Sequence, residues 1–184
     1  YQHDTGPTVI TAPYLFKELF ELFNEDIENY INFVPLNPWY RFYFSDFSFF
    51  DYGGTKESTV NEIKKFSSRD ADGYLKMLES SKSIYEIGYE KLATFPFHDF
   101  SNMVKIVPDM IKLRSFTNVY NHVSKYIKNE NLRKAFSIQP LLVGGNPFTT
   151  TSIYCLIHYL ERKDGIHFPL GGTAQIVNQL RLLL

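Results

Sequence analysis

The residues whose types and spacing most suggest a site are Gly144-Gly145-Asn146-Pro147, inside Gln139-Pro140-Leu141-Leu142-Val143-Gly144-Gly145-Asn146-Pro147-Phe148. Two adjacent glycines permit backbone angles that a Cβ forbids, and they let another group come close to the main chain. Asn146-Pro147 then interrupts regular structure, because the residue before proline is pushed out of the α region. Gly144, Gly145, Asn146 and Phe148 are the candidate binding residues of this stretch, and a core turn uses the same residue types. Gly171-Gly172-Thr173 forms a second glycine pair. A helix N-terminus behind it could hold an anion, but a plain helix cap is the simpler explanation of a lone Gly-Gly-Thr. Other chemistry is sparse. His3, His98, His122, His158 and His167 are scattered, with no pair at zinc-ligand spacing to a third partner. There is no Gly-x-Ser-x-Gly elbow, no P-loop and no Gly-x-Gly-x-x-Gly. Cys155, the single cysteine, excludes an internal disulfide and fits a reducing compartment. On the buried side of an apolar helix it makes a poor nucleophile.

The elements that must position the glycine stretch are legible on either side of it. Thr149, Thr150 and Thr151 offer hydroxyl caps for a helix over residues 152–161, in which Ile153, Leu156, Ile157 and Leu160 recur as one apolar face. Near the start, Thr11 can cap a helix with Pro13 in its first turn and Leu15, Phe16, Leu19, Phe20 and Phe23 along one face, closed by Asn24. Tyr40, Phe42 and Phe44 alternate with Arg41, Tyr43 and Ser45, the period of a half-buried strand. Ser45-Asp46 begins a turn and residues 48–52 return as the second strand of a hairpin. A short helix over 57–66 follows, then a long one over 70–92 capped by Ser67 or Ser68, which Gly73 and Gly88 weaken by up to about 1 kcal/mol each relative to alanine. Residues 101–128 mix Met103, Val104, Ile106, Met110, Ile111 and Leu113 with Lys105, Lys112, Arg114, Lys125 and Lys128. Pro108 splits that stretch into two helices, which are either ordinary surface helices or lie in a membrane interface. A short strand after Phe168 leads into a last helix carrying Ile176, Val177, Leu180 and Leu183.

A chain of 184 residues can build one sizeable core or part of a larger one. A net charge of −1 gives no basic excess for nucleic acid. No run approaches the roughly 20 apolar residues that a membrane span needs. The departure from ordinary composition is aromatic: 17 Phe, 13 Tyr and 1 Trp make up 17% of the chain. Such rings suit either a dense core or the lining of a long apolar channel.

Taken in order, several stretches together resemble the bacterial-type phytoene desaturases, FAD-dependent carotenoid desaturases of the flavin amine-oxidase group. They are residues 4–11 (DTGPTVIT), 34–41 (VPLNPWYR), 132–137 (LRKAFS), 139–148 (QPLLVGGNPF), 153–158 (IYCLIH) and 168–173 (FPLGGT). The resemblance runs from end to end. It implies an α+β chain, an internal piece of a two-domain flavoprotein with a mixed sheet and a helical membrane-associated part. The Rossmann motif would lie upstream. Residues 1–38 would be the edge of the FAD-binding domain with its connecting helix, 39–170 the substrate-binding region, and 171–184 the start of a helix returning toward the FAD-binding domain. Gly6, Pro7 and Thr8 are then expected near the flavin. In relatives a basic–acidic pair commonly precedes the position of Met103, the acid being a candidate for proton handling. Here that pair is Ser101-Asn102, followed by Lys105. Asn102 and Lys105 are the candidate catalytic positions on that footing, yet Asn102 cannot act as a general base, and a helix cap accounts for it as well.

The implied reaction removes two hydrogens from a saturated bond beside a polyene, hydride passing to FAD, so the cofactor carries the hard chemistry. The implied partners are an apolar, phytoene-like polyene and a membrane surface contacted peripherally from the cytoplasm, with no nucleic acid. The oligomeric state is open. Two other readings stand beside this one. One is a sister carotenoid flavoenzyme, such as a diapophytoene desaturase, isomerase or ketolase. The other is a non-catalytic lipid-binding module.

Overall fold

The computed structural model describes residues 6, 8–91 and 116–183. Pro7, Asn102, Lys105 and most of the 101–128 stretch lie outside them. In chain order the elements are α1 (Pro13–Glu21), β1 (Phe33–Pro35), β2 (Tyr40–Tyr43), β3 (Phe49–Tyr52), α2 (Lys56–Phe66), α3 (Ser68–Tyr85), α4 (Val119–Tyr126), α5 (Glu130–Phe136), α6 (Leu156–Asp164), β4 (His167–Pro169) and α7 (Ala174–Leu183). Helix and sheet are both present, so the chain is α+β. The expected mixed sheet is not found among the described residues, where β1 pairs with β4 and β2 with β3, both antiparallel. The chain divides into two compact units, residues 1–39 with 160–184, and residues 40–159. β4 belongs to the first unit, where it pairs with β1.

In the first unit α1 starts with Pro13, whose missing N–H does no harm in a first turn. Ala12 occupies the N-cap position without a side-chain bond, so Thr11 does not cap the helix as expected: the helix begins one residue too late for it. Asn24, at φ 57°, closes the helix as expected. Its N–H donates to the Glu21 carbonyl (3.0 Å) and that of Glu25 to Phe20 (3.2 Å). Of the expected apolar face Phe20 is fully buried, while Leu15 and Phe23 are exposed. Phe20 joins Ile10, Ile27, Ile31 and Ile176 in the core of this unit. Ile10 exchanges two backbone hydrogen bonds with His167 (2.8 and 2.9 Å), and β1 pairs along the same β4 strand.

The second unit is built on the hairpin and its rings. Tyr40 faces Tyr52 and Phe42 faces Phe50 across the ladder, so the period-2 alternation puts four rings on one side. The turn is closed by Phe44 N–H donating to the Ser48 carbonyl (3.0 Å) and by the Asp46 carboxylate, which accepts from the Ser48 N–H (3.0 Å) and hydroxyl (2.6 Å). Phe50, Tyr52, Tyr74 and Phe136 are essentially inaccessible. Phe136 is their hub, with ring centroids 5.5 Å from Phe50, 5.5 Å from Tyr52 and 5.3 Å from Tyr74. These rings are core, and each contributes roughly 2–3 kcal/mol by burial. The cap expected at Ser67 is present, its Oγ accepting from Asp70 N–H (3.3 Å), and Thr55 Oγ1 caps the preceding helix in the same way by accepting from Ser58 N–H (3.1 Å). Beyond α3, residues 86–91 continue as π-type turns.

Asp70 is a residue that the sequence reading passes over. It is fully buried, and its carboxylate accepts the backbone N–H groups of Lys128 (2.9 Å) and Asn129 (2.7 Å). Asn129 in turn caps α5 (Leu132 N–H to Oδ1, 3.1 Å). One carboxylate therefore fixes where α4 ends and α5 begins.

Candidate functional site

The glycine stretch forms a compact loop of the second unit. Residues Gln139–Val143 make one 3₁₀ turn, and Gly144 ends it at φ 75°, a left-handed conformation that suits glycine. Gly145 N–H donates to the Pro140 carbonyl (2.7 Å) and closes the loop. A Cβ on Gly145 would lie 2.8 Å from Thr150 Oγ1 and 3.2 Å from that same carbonyl. The group brought close to the glycine backbone is thus the loop itself, and both glycines are accounted for by its geometry. Asn146 Oδ1 accepts from Phe148 N–H (2.9 Å), and its carbonyl accepts from Thr149 (3.0 Å) and Thr150 (2.8 Å). Thr151 caps the turn Ser152–Cys155 that leads into α6, with Oγ1 3.4 Å from Ile153 N.

The far side of the loop docks on the start of α4. Asn118 Nδ2 donates to the Phe148 carbonyl (2.7 Å), Val119 N–H to Thr150 (3.0 Å) and Tyr120 N–H to Pro147 (3.1 Å). The Phe148 ring lies 4.6 Å from that of Tyr120, over which the Arg133 guanidinium sits at 5.7 Å. What the loop shows to the outside is apolar: Leu141 is 59% exposed, Leu142 49%, Val143 62% and Phe148 58%. Three consecutive exposed aliphatic side chains are rare on a surface without a task.

The near side is held from below by residues of which the sequence placed only Cys155 on the buried side of the helix. The expected face Ile153, Leu156, Ile157 and Leu160 is mostly half-buried, whereas Ser152, Cys155, His158 and Glu161, spaced by three, are the fully buried positions. His158 Nε2 lies 2.9 Å from the Phe136 carbonyl, which only accepts, so this nitrogen carries the proton. Nδ1 is then the acceptor for the Gln139 amide nitrogen at 3.1 Å. The i, i+3 recurrence of Ser152, Cys155 and His158 was the available signal, obscured by the aliphatic stripe beside it. Cys155 is buried and its thiol is pushed up to about 12 by desolvation, which makes it inert at neutral pH. His122 of α4, 3.4 Å from Ser80 Oγ, is pushed down to about 4, first by burial and then by Lys125.

Of the other expected site residues, Gly6 and Thr8 belong to the first unit and are exposed. Pro7, Asn102 and Lys105 are outside the described residues. No cluster of three metal-ligating side chains occurs among the described residues, and no helix there is long and apolar enough to cross a membrane.

No protein-family profile matches the chain. Individual proteins do. It is 42% identical over 177 residues, 96% of its length, to a lycopene-forming phytoene desaturase of Pantoea ananas, and 42% identical over 178 residues to that of Pseudescherichia vulneris. Over nearly all of its length the chain is homologous to a part of the phytoene desaturases. A neurosporene-forming phytoene desaturase of Cereibacter sphaeroides is 34% identical over 176 residues. The chain spans 36%, 36% and 34% of the lengths of these three desaturases. The match includes both the glycine loop and the His158 helix, since it extends over 96% of the residues.

Proposed function

We propose that this chain is part of a carotenoid-biosynthetic oxidoreductase that desaturates phytoene or a close relative, and that the loop of residues 139–148 forms part of its substrate surface. The observation that carries the reading is the 42% identity over 96% of the chain. In the reaction a saturated C–C bond beside a polyene loses two hydrogens and becomes a double bond. The substrate offers no charge to grip, so recognition must rest on apolar area. Leu141, Leu142, Val143 and Phe148 supply that area on a backbone fixed by Gly144, Gly145 and Asn146.

FAD is the hydrogen acceptor that this reading requires. The described residues do not form a cradle for it by themselves. Gly6 and Thr8 are exposed, and a Cβ added to Gly6 would meet nothing within 4 Å, so no close approach is built there. Gly6, Pro7 and Thr8 belong to this proposal as flavin-proximal positions that need the rest of the protein. Asn102 and Lys105 belong to it as candidate positions at the reacting bond, with Lys105 the only one of the two that can carry charge. The proposal also places the enzyme at the cytoplasmic face of a membrane, contacted peripherally through residues 101–128.

Intact, flavin-loaded protein supplied with phytoene is expected to yield coloured products. Folded protein that carries FAD and leaves phytoene colourless overturns the desaturase reading. For the membrane contact, co-sedimentation with anionic vesicles is expected to weaken in high salt and in a Lys105→Gln, Lys112→Gln double variant, each lysine adding about 1 kcal/mol near an anionic surface. Unchanged sedimentation of the folded double variant moves the contact elsewhere.

A further inference from the structure

We infer that His158 and Gln139 act as a positioning pair that sets the presentation of the loop 140–148 and hence the fit of the apolar substrate; the inference rests on the desaturase reading. The geometry is specific. The loop is held at two places. From Asn146 onward it is fastened to α4 by backbone and amide hydrogen bonds that do not involve α6. At its first residue it is held by the Gln139 side chain, whose nitrogen reaches His158 Nδ1 at 3.1 Å. The Gln139 amide oxygen is buried and finds no partner among the described residues, so the nitrogen contact is what orients this side chain. Pro140 follows directly, and its carbonyl accepts the Gly145 N–H that closes the loop (2.7 Å). A rotation at Gln139 is therefore transmitted to the closure and to the exposed Leu141, Leu142 and Val143 between them.

His158 is suited to the task because both its nitrogens are committed. Nε2 donates to the Phe136 carbonyl (2.9 Å), which fixes the tautomer and leaves Nδ1 only the acceptor role. The imidazole is fully buried, with the rings of Phe136 and Tyr52 at 5.8 and 6.4 Å. Phe136 is also the hub of the aromatic core. The pair thus ties the loop to the buried aromatic core of the unit. Neither residue touches the loop's exposed surface, so they position and do not bind.

Two substitutions at one site separate positioning from core stability. Asn places a polar atom near Nδ1, so His158→Asn keeps an acceptor for Gln139 and loses the donor to Phe136. Gln places its nitrogen near Nε2, so His158→Gln keeps that donor and loses the acceptor. The assay uses the intact flavin-loaded enzyme with phytoene, together with hydrogen–deuterium exchange over residues 140–148 and thermal unfolding. Positioning predicts that H158Q raises KM about five- to tenfold with kcat within about twofold, the size of one lost buried hydrogen bond. Exchange should rise selectively in 140–148. H158N should stay near wild type in KM and loop exchange, and Gln139→Met, which removes the donor while keeping the bulk, should reproduce H158Q.

A purely structural histidine gives the opposite pattern: both variants lose thermal stability, loop exchange moves with global stability, and KM holds in whatever stays folded. That result overturns the inference, as does an unchanged KM and loop exchange in a folded Q139M. If the wild-type enzyme itself leaves phytoene untouched, the desaturase reading fails; the exchange experiment still decides whether the pair holds the loop.

Discussion

Gly73 has no side chain because α3 and the end of α4 leave no room for one. A Cβ there would lie 2.1 Å from the Tyr126 carbonyl oxygen, a backbone atom that cannot swing aside. By helix propensity alone Gly73→Ala would gain about 1 kcal/mol. Forced separation of two packed helices costs about 1–3 kcal/mol or more. The packing effect is expected to win, lowering the denaturant midpoint of the intact protein; an unchanged or higher midpoint would show that α4 gives way easily. His122 acts at the same scale. Burial holds its folded pKa at about 4, below its ordinary value of 6.5. The neutral ring is favoured in the fold, so its contribution is fully present above about pH 6.5 and is lost as pH falls toward 4. His122→Gln, which cannot charge, is expected to flatten the decline of stability over that window, by up to about 3 kcal/mol at its acid end. Parallel pH–stability curves for the two proteins would remove His122 as a source of acid sensitivity.

At the scale of elements, the loop depends on two glycines for different reasons, and substitution separates them. Gly144 stands at φ 75° with open space around a Cβ. Gly144→Ala therefore meets only the left-handed backbone penalty, about 1–2 kcal/mol. Gly145 lies at an ordinary φ but against Thr150 and Pro140, so Gly145→Ala must open the loop closure. The expected outcome is a modest loss of stability with G144A and a larger rise in hydrogen exchange across 140–150 with G145A. Equal effects would show that the contact with Thr150 relaxes freely. The hairpin shows how an element divides its labour between faces. Phe42 and Phe50 feed the core, while on the other face Arg41 holds Asp51 with two 2.7 Å bonds and covers the Phe49 ring at 4.7 Å. Arg41 keeps the Asp51 carboxylate below its usual range. An exposed pair of this kind contributes little to stability despite its geometry.

For the molecule as a whole, the two units carry different features. The second unit holds the glycine loop, the aromatic core and the buried histidines; the first holds Gly6, Thr8 and the β1–β4 ladder. Neither Gly6 nor Thr8 is built into a nucleotide cradle by the described residues. The isolated 184-residue chain is accordingly expected not to retain FAD through gel filtration. A stoichiometric yellow complex would show that a flavin site is complete within it. The chain spans about a third of the length of the desaturases it matches, so the same measurement on the intact protein, where FAD should co-elute, is the control.

The sequence by itself determined what depends on neighbours along the chain. The hairpin follows from Tyr40, Phe42 and Phe44 alternating with polar partners, the caps at Ser67 and Thr151 from hydroxyls placed before helices, and the end of α1 from Asn24. Each is a local steric or hydrogen-bonding preference, so a short window of sequence contains it. The residues of the glycine loop were legible for the same reason. What holds that loop was not, because His158 and Gln139 are nineteen positions apart and their meeting depends on how α6 packs on Phe136. Asp70 and Gly73 were equally silent: a helical aspartate and a helical glycine look unfavourable until the end of α4 is laid across them. Tertiary structure also turned the aromatic excess into a core in the second unit, since composition counts rings and only packing decides which of them touch.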